Sequence, residues 1–423
     1  MAERTTASIF GINLRARAAA LASLAILTAA FMIVPAAQAQ TFQVLHNFTG
    51  GDGWSPDGAL VRDRAGNFYG TTDAGGASNR GTVFRLSRAG SGWILTTLYS
   101  LQGQNDGCYP FASVVFGPDG ALYGTTDECG QHGHGIVYRV RPSPASCRSA
   151  LCPWEETVLY NFTGSTDGGN PGGGNLVFDQ AGNLYGTTES GGYGEGVVFK
   201  LTPSNGSWTE SVLWAFRNTL QGFNPYSGLN FDNAGNLYGT TLNGGSGDSS
   251  GVVYKLSNRG SGWFEFVVSP VEFSATATCG GVVMDGHGNL FGTSGCDSLG
   301  RPGGVFELTP SNGDWTFNRL YQFSSSLGPA ASPTLDAAGN VYGTSEGTGL
   351  YGYGEVFKLT PSNGGWIYTD LHDFTGGSDG AYPIGSVLLD DNGNLYGNTL
   401  YGGTGSCSIN SYTGCGVVWE ITP

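Results

Sequence analysis

Residues 183–188 read N-L-Y-G-T-T, and close copies of this stretch recur along almost the whole chain. The glycine marks each copy and stands at positions 70, 124, 186, 239, 292, 343 and 397. Neighbouring copies are therefore separated by 51 to 62 residues. A repeat interval of this length is the signature of a tandem array in which each copy forms one supersecondary unit.

Each copy contains four short segments with the composition of β-strands. In the third copy they are residues 157–162, 175–178, 183–188 and 196–201. Residues 179–182 (D-Q-A-G) form a tight turn, in which the glycine supplies the positive φ that hairpins need. A glycine-rich loop covers residues 189–195. Residues 202–206 (T-P-S-N-G) are expected to break the last strand and lead into the next copy.

Seven four-stranded units predict an all-β fold, a seven-bladed β-propeller formed by residues 40–423 as a single domain. A solenoid is the alternative, but solenoid repeats are usually shorter. The two ends of the chain favour a closed ring. Residues 41–48 match the outermost strand of a blade, while residues 416–421 match the third strand of the last one. The N-terminal strand is therefore expected to complete the last blade and to hide two sheet edges.

The composition excludes several other classes of protein. The chain has 423 residues with 73 Gly and 18 Pro but no three-residue period, which excludes collagen. Hydrophobic residues make up 39%, enough for a core, and charged residues only 12%, too few for many amphipathic helices. A formal charge of −15 argues against nucleic acid and anionic lipid as partners.

The first 39 residues resemble a secretory signal peptide. Arg4, Arg15 and Arg17 precede an apolar run over residues 18–34, and Ala37-Gln38-Ala39 is a cleavage motif. No other apolar stretch is long enough to span a bilayer. We therefore expect a secreted or periplasmic protein, with an uncleaved signal segment as the alternative.

The eight cysteines suit an oxidising compartment and suggest disulfide pairs, although sequence alone does not determine the connectivity. Cys108 with Cys129, and Cys279 with Cys296, flank neighbouring strands of blades two and five at places that look equivalent. Cys147 with Cys152 would close an extra loop, and Cys407 with Cys415 the last glycine-rich loop. Free buried thiols are the alternative.

The motif N-L-Y-G-T-T, a following G-G loop, G-V-V-F-K-L-T-P and W-T-x-x-x-L-Y-x-F together resemble the GloVer tandem-repeat proteins. The similarity covers almost all of residues 41–423. The resemblance implies an exported bacterial protein with a propeller fold, and it implies no particular reaction. A weaker likeness, carried by D-x-x-G-N-L-Y, is to NHL-repeat propellers.

Two sets of aspartates stand out. Those of the D-x-x-G-N turns are expected to be structural, because Asp accepts hydrogen bonds from nearby backbone N–H groups. They are Asp63, Asp119 (in a variant turn), Asp179, Asp232, Asp285, Asp336 and Asp390. The others, each followed by Gly in the loop before an inner strand, are Asp52, Asp106, Asp167 and Asp379. They are predicted to ring the channel mouth and either to shape turns or to hold Ca²⁺ or a polar ligand.

Aromatic residues in the same loops are the best sequence signal for a binding surface, because exposed rings stack on sugars or anchor partners. They are Trp54, Tyr109, Phe223 and Tyr382. The other repeated tryptophans start the outer strands and are expected to pack between blades. The only closely spaced His pair, His132 and His134, is a weak candidate for a metal site, with a solvated loop as the alternative.

The most favoured function is a secreted, non-enzymatic propeller that binds an extracellular polysaccharide or protein through its loops. No His stands in a context that suggests nucleophilic catalysis, and near-identical blades lack a singular catalytic cluster. A polysaccharide hydrolase or lyase using channel-mouth carboxylates, and a structural surface or matrix protein, remain as alternatives. No cofactor beyond Ca²⁺ is suggested, and a monomer is expected.

Overall fold

Seven four-stranded antiparallel sheets follow one another along the chain and form the blades of a β-propeller, as the repeats predict. The structure is a computed structural model. It describes residues 40–143, 153–217, 219–245, 251–270, 277–296, 301–324, 327–409 and 412–423. Within each blade the short first strand is innermost and the long fourth strand is outermost.

The strands of the first three blades have the following bounds. Blade 1 contains β2 (Val61–Arg62), β3 (Phe68–Thr72), β4 (Thr82–Ala89) and β5 (Gly92–Ser100); blade 2 contains β6 (Val115–Phe116), β7 (Leu122–Thr126), β8 (Ile136–Pro142) and β9 (Trp154–Asn161); blade 3 contains β10 (Val177–Phe178), β11 (Leu184–Thr188), β12 (Val197–Ser204) and β13 (Ser207–Ala215).

The next three blades repeat this order. Blade 4 contains β14 (Asn230–Phe231), β15 (Leu237–Thr240), β16 (Val252–Asn258) and β17 (Trp263–Pro270); blade 5 contains β18 (Val283–Met284), β19 (Leu290–Ser294), β20 (Gly304–Ser311) and β21 (Asp314–Gln322); blade 6 contains β22 (Thr334–Leu335), β23 (Val341–Ser345), β24 (Glu355–Ser362) and β25 (Gly365–Asp373). In the described part of the chain, two 3₁₀ turns cover Gln104–Asp106 and Thr219–Gln221.

Blade 7 is built from both ends of the propeller, as the sequence predicted. It contains β26 (Leu388–Leu389), β27 (Leu395–Thr399) and β30 (Val417–Thr422), with β1 (Thr41–Asn47) as its outermost strand. The insertion between β27 and β30 forms a small hairpin from β28 (Ser408–Ile409) and β29 (Tyr412–Thr413). Pairing of β1 with β30 closes the ring by hydrogen bonds.

The D-x-x-G-N-x-Y segment forms the turn between the first and second strands of a blade. In blade 3 the Asp179 carboxylate accepts hydrogen bonds from the Ala181 and Asn183 backbone N–H groups, both at 2.9 Å. The Asn183 side chain and the Tyr185 hydroxyl donate to its second oxygen at 2.7 and 2.9 Å. The turn aspartates therefore have the structural role predicted for them. These donors outweigh the effect of burial and lower the pKa of Asp179.

The glycine of N-L-Y-G-T-T allows the second strand to approach the aromatic side chain of the third. A Cβ on Gly186 would lie 2.6 Å from Cζ of Phe199, and the other six motif glycines face the same obstruction at 2.3–2.6 Å. The obstructing rings are fully buried in all seven blades. Glycine is therefore required at this position by packing.

The first threonine of the motif links five of the seven blades to the next one. Thr71 Oγ1 donates to the Ala112 carbonyl oxygen at 3.0 Å, across the boundary between blades 1 and 2. Equivalent bonds run from the threonine hydroxyls to backbone carbonyl oxygens: Thr187 to Ser227, Thr240 to Gly280, Thr293 to Ala331 and Thr344 to Gly385. In blade 7, the Asn398 side-chain amide donates to the Gly58 carbonyl oxygen of blade 1. Thr125 is the exception, since its buried hydroxyl has no partner among the described residues.

The repeated tryptophans of the outer strands pack between blades, as expected. Trp208 of blade 3 meets Tyr123 of blade 2 at a ring-centroid distance of 6.1 Å, and Trp315 of blade 5 meets Tyr238 of blade 4 at 6.3 Å. These contacts bury apolar area at each blade boundary, the main source of stability in such a fold.

The expected strand break at residues 202–206 is wrong. Strand β12 continues through Pro203, which pairs with Trp208, and ends at Ser204. The turn consists of Asn205 and Gly206 alone, with φ of 50° and 86°. Two residues with positive φ make the tight turn that matches strand twist, so the proline lies inside the hairpin near its end.

Candidate functional site

The loops before the first strand and after the second strand of each blade lie together on one face, which we call the loop face. Backbone bridges pair them in five blades: Trp54 with Ala74, Cys108 with Glu128, Gly169 with Ser190, Phe223 with Asn243, and Ala381 with Tyr401. The prediction that the D-G and G-G loops share a face is confirmed.

A left-handed residue before a proline joins each of five neighbouring blade pairs on the loop face. Tyr382 has φ of 58°, and its N–H donates to the Tyr353 carbonyl oxygen of the preceding blade at 2.8 Å. The same position is filled by Ser55, Tyr109, Asn170 and Asn224, with φ of 55° to 61°. The side chains at these junctions are free to vary because the backbone makes the bond.

The four aspartates of the D-G loops hold their own loops to the outermost strands. Asp167 accepts hydrogen bonds from the Thr163 N–H and the Tyr160 hydroxyl, both at 3.0 Å. Asp106 accepts from Tyr99 at 2.9 Å, Asp52 from His46 at 2.9 Å, and Asp379 lies 3.4 Å from His372. None of these aspartates lines the central cavity. The expected ring of carboxylates at the mouth is therefore not formed by this set.

Of the four predicted loop aromatics, three are held by contacts in their own neighbourhood and one, Tyr382, belongs to a larger aromatic cluster. Trp54 packs against a buried cluster that includes Phe48 and Phe84, and Phe223 is held by its backbone bridge. The Tyr109 ring lies under the Arg80 guanidinium, 5.5 Å from its centroid, and its hydroxyl accepts a hydrogen bond from that group. Tyr382 has a different environment, because other tyrosines surround it.

Four tyrosines from blades 6 and 7 form a contiguous tyrosine cluster on the loop face: Tyr353, Tyr382, Tyr401 and Tyr412. Tyr382 lies 5.0 Å from Tyr412 and 5.9 Å from Tyr353 between ring centroids, in edge-on contacts. Tyr401 and Tyr412 stack at 4.9 Å with an interplanar angle of 6°. Tyr353 and Tyr412 remain 39% and 37% exposed, so the cluster offers aromatic surface to solvent.

The insertion predicted to break the repeat symmetry supplies one of these rings. Tyr412 lies on β29 of the small hairpin, and the Cys407–Cys415 disulfide closes the base of that hairpin with a Cα–Cα distance of 5.0 Å. The structure thus brings together two features that the sequence singled out separately, Tyr382 and the insertion.

The histidine pair is not assembled with other ligands. His132 is exposed, whereas the His134 ring covers Gly164, where a Cβ would lie 2.5 Å from the ring. Among the described residues, one group of three potential ligands is close enough for a metal, Glu355 with Asp370 and Asp373, and it does not include either histidine.

Three of the predicted disulfides are present: Cys108–Cys129, Cys279–Cys296 and Cys407–Cys415. Cys147 and Cys152 lie outside the described residues. The expected equivalence of the first two pairs is wrong. In blade 5, Thr278 occupies the position that a proline has in the other blades. Cys279 follows this position and so lies on the side of the channel. Cys108 of blade 2 instead precedes the proline of its own blade. Cys279 and Cys296 consequently line the central cavity.

The innermost segments of all seven blades enclose a central cavity of about 230 Å³. Its wall includes Asp57, Phe111, Tyr226, Glu346 and Ile384, together with the Cys279–Cys296 disulfide. No lysine, arginine or histidine is among its lining residues.

Carboxylates that the sequence analysis did not select form an acidic arc around this cavity. The arc consists of Asp57, Asp73, Asp127, Glu128, Glu189 and Glu346, each within electrostatic range of another member. Burial, together with the charges of Asp127 and Glu128, raises the pKa of Asp73 to about 7. Burial and the charges of Asp73 and Glu346 raise the pKa of Asp57 well above its usual value.

The sequence contained a signal for four members of the arc. The residue directly after Y-G-T-T or Y-G-T-S is acidic in copies one, two, three and six, where it is Asp73, Asp127, Glu189 and Glu346. Alignment of the copies at this position would have identified them. Asp57 had no such signal, because its position holds Phe111, Tyr226 and Ile384 in other blades.

A repeat-family model described as the Gloeobacter/Verrucomicrobia repeat matches residues 28–152, 150–274 and 272–423. The chain belongs to this family. The match confirms the resemblance to the GloVer proteins that the motifs indicated. No curated protein matches the chain by sequence.

Solved structures resemble this chain at low sequence identity. PorZ of Porphyromonas gingivalis, described as a bacterial surface component of the type-IX secretion system, is 16% identical with a TM-score of 0.51; the match covers 84% of this chain and 46% of PorZ. This chain thus spans about half the length of PorZ. A putative 6-phosphogluconolactonase from Bacteroides uniformis is 15% identical, with a TM-score of 0.48 and coverage of 74% of this chain and 83% of its own. The likeness to PorZ concerns the fold.

No helix among the described residues is long and apolar enough to cross a membrane.

Proposed function

We propose that the protein is an exported, non-enzymatic binding protein that recognises a polysaccharide through the tyrosine cluster on its loop face. The observation that carries this proposal is the concentration of four tyrosines at one place on an otherwise repetitive ring. Tyrosine offers a flat apolar face for a sugar ring and a hydroxyl for hydrogen bonding.

The position of the cluster supports a ligand longer than one sugar. Burial raises the pKa of Tyr401, and the charges of Asp73 and Asp57 of the acidic arc raise it further, so Tyr401 lies within electrostatic range of the arc. A chain lying across the cluster would therefore reach the mouth of the cavity. The negative charge there would disfavour polymers rich in uronic acid or phosphate and favour neutral or amine-bearing ones.

Export is supported by the signal-like N-terminal segment and by disulfides, which persist in oxidising compartments. The description of PorZ as a surface component gives a precedent for this fold at a bacterial surface.

One observation favours a second candidate, a polysaccharide hydrolase or lyase. The pKa of Asp73 is raised to about 7 and that of Asp127 to about 6, so the arc holds carboxyl groups able to donate a proton near neutral pH. Perturbed carboxyls of this kind also occur at binding sites, so they do not by themselves indicate turnover.

The deciding experiment is retention of the purified protein on insoluble polysaccharides and cell envelopes, with released sugars measured by mass spectrometry. The informative variants are Tyr412→Ala and Tyr382→Asn. Asparagine suits the second site because Asn170 and Asn224 occupy the same left-handed position in other blades. Tyr193→Ala is the control, since Tyr193 is 61% exposed and does not belong to the cluster.

We expect retention without released sugar, at least a tenfold loss of affinity in both cluster variants and no loss in the control. Released oligosaccharide, abolished by Asp73→Asn, would replace this proposal by the enzymatic one. Absence of retention on every polysaccharide would overturn it in favour of a protein partner or a structural role.

A further inference from the structure

The central cavity has a chemical character that the tyrosine cluster does not explain. Its wall combines two carboxylates, Asp57 and Glu346, with the aromatic rings of Phe111 and Tyr226. Aromatic faces and carboxylates both attract cations, and together they are the usual surroundings of an organic ammonium group. No basic side chain among the lining residues neutralises these carboxylates.

The Asp57 carboxylate has no hydrogen-bond donor among the described residues. This distinguishes it from the aspartates of the turns and D-G loops, each of which accepts hydrogen bonds through at least one carboxylate oxygen. Burial raises the pKa of Asp57 well above its usual value, and Asp73 and Glu346 add to the effect. A cation in the cavity would supply the positive charge that the lining residues do not provide.

A second polar group in the wall is independent of the carboxylates. Ser113 is only 2% exposed, and its hydroxyl has no hydrogen-bond partner in the described part of the chain, although its backbone N–H is bonded to Asn175. A buried hydroxyl without a partner is costly, so this one also indicates a polar ligand.

The shape of the site limits the size of the ligand. A volume of about 230 Å³ equals the share of roughly eight water molecules in the liquid. This is room for one sugar ring or a molecule of similar size, and not for a folded partner. The Cys279–Cys296 disulfide in the wall ties together two segments that line the cavity.

We propose that the central cavity binds one small organic ammonium ligand, of the size of an amino sugar, with its ammonium group between Asp57 and Glu346 and its body against Phe111 and Tyr226. The Ser113 hydroxyl provides a further hydrogen bond. This site is separate from the tyrosine cluster, so it does not depend on polymer binding.

The test is calorimetric titration of the full-length mature protein at neutral pH and low salt with glucosamine, and with glucose as the matched neutral probe. The two sugars differ by one amino group in place of a hydroxyl. We expect glucosamine to bind with 1:1 stoichiometry and at least tenfold more tightly than glucose. Added salt should weaken its binding.

The variants are Asp57→Asn and Ser113→Ala, with Asp391→Asn on the exposed surface as the control. Asp57→Asn should lower the affinity for glucosamine at least tenfold, Ser113→Ala severalfold, and Asp391→Asn not at all. Asp57→Asn removes no hydrogen bond, so the variant should fold, and its melting curve verifies this. Equal binding of the two sugars, no binding of glucosamine, or an unchanged affinity in Asp57→Asn would each overturn the proposal. Loss of polymer retention in the tyrosine variants leaves these results unaffected.

Discussion

The carboxylates of the D-x-x-G-N turns and those of the acidic arc are the same kind of group in opposite surroundings. Asp179 accepts four hydrogen bonds within its own turn, and these lower its pKa despite burial. Asp73 has one carboxylate oxygen buried without a partner and acidic neighbours, and its pKa is raised to about 7. The first set stabilises the repeat. The second set lowers the free energy of unfolding, because its buried carboxyl groups lie close to one another, and a structural role does not explain this loss.

Removal of a turn carboxylate should have the largest effect on stability. Asp179→Ala removes all four hydrogen bonds, and we expect the free energy of unfolding to fall by about 2–4 kcal/mol. Asp57→Asn, which removes none, should leave stability unchanged or higher at neutral pH. Denaturant unfolding of the two variants measures the difference. Equal destabilisation by both would contradict the division into two sets.

Removal of the Cys407–Cys415 disulfide tests how the hairpin that carries Tyr412 is held to the propeller. The cysteines are eight positions apart, so the double variant Cys407→Ser/Cys415→Ser should lose about 2 kcal/mol of stability through the loop entropy of the unfolded chain. Because the bond closes the hairpin that carries Tyr412, polysaccharide retention should weaken as well. Full retention after this change would show that the strand pairing of the hairpin is sufficient to place Tyr412.

The two sets should also respond to pH in opposite directions. The pKa of Asp73 is raised from 3.8 to about 7 on folding. Its contribution to stability is therefore fully present below about pH 4 and is lost as the pH rises towards 7. Five turn aspartates have lowered pKa values and so contribute stability that is present above pH 4 and lost in acid: Asp63, Asp179, Asp232, Asp285 and Asp336.

Asp73→Asn should accordingly raise stability at neutral pH and leave it unchanged at pH 3.5. Full linkage would amount to about 1.4 kcal/mol per pKa unit, and because Asp73 keeps some contact with solvent we expect about 1–2 kcal/mol. Unfolding by denaturant across this pH range measures the change, with Asp391→Asn as the exposed control. If the free energy of unfolding of Asp73→Asn changed with pH in parallel with that of the original protein, Asp73 would be ionised at neutral pH.

The smallest expected effect compares one motif position in two blades. Thr71 Oγ1 donates to the Ala112 carbonyl, whereas the equally buried Thr125 Oγ1 has no described partner. Thr71→Val should cost about 1 kcal/mol and Thr125→Val less than about 0.5 kcal/mol. Thermal unfolding of the matched pair measures this difference. Equal losses would mean that the hydroxyl links between blades add little to their apolar packing.

Much of the scaffold could be predicted because its determinants are local and repeated. Asp179 and Asn183 are four residues apart, so their hydrogen bonds form within one turn wherever the pattern occurs. The residues of the arc could not be selected in this way. Asp57 resembles any aspartate of a loop, and its environment is created by side chains such as Glu346, which lies far along the chain.

The predicted role of the D-G loop aspartates shows the same limit. Asp106 and Asp167 were placed correctly on the loop face, but the direction of their carboxylates depends on tyrosines of the outer strands. Tyr382 was selected among four loop aromatics without any sign that it differed from Trp54. The difference arises from Tyr353 of the preceding blade and Tyr412 of the insertion, which meet it only in the folded ring.

The amino-acid sequence by itself determined the number of blades, the four strands of each and the closure of the ring, because repeat spacing, turn residues and strand patterns act over a few residues. Tertiary structure alone decided which carboxylates surround the cavity, which loop aromatics form a surface and which cysteines line the channel. These properties depend on distances between blades, and such distances exist only after the ring has closed.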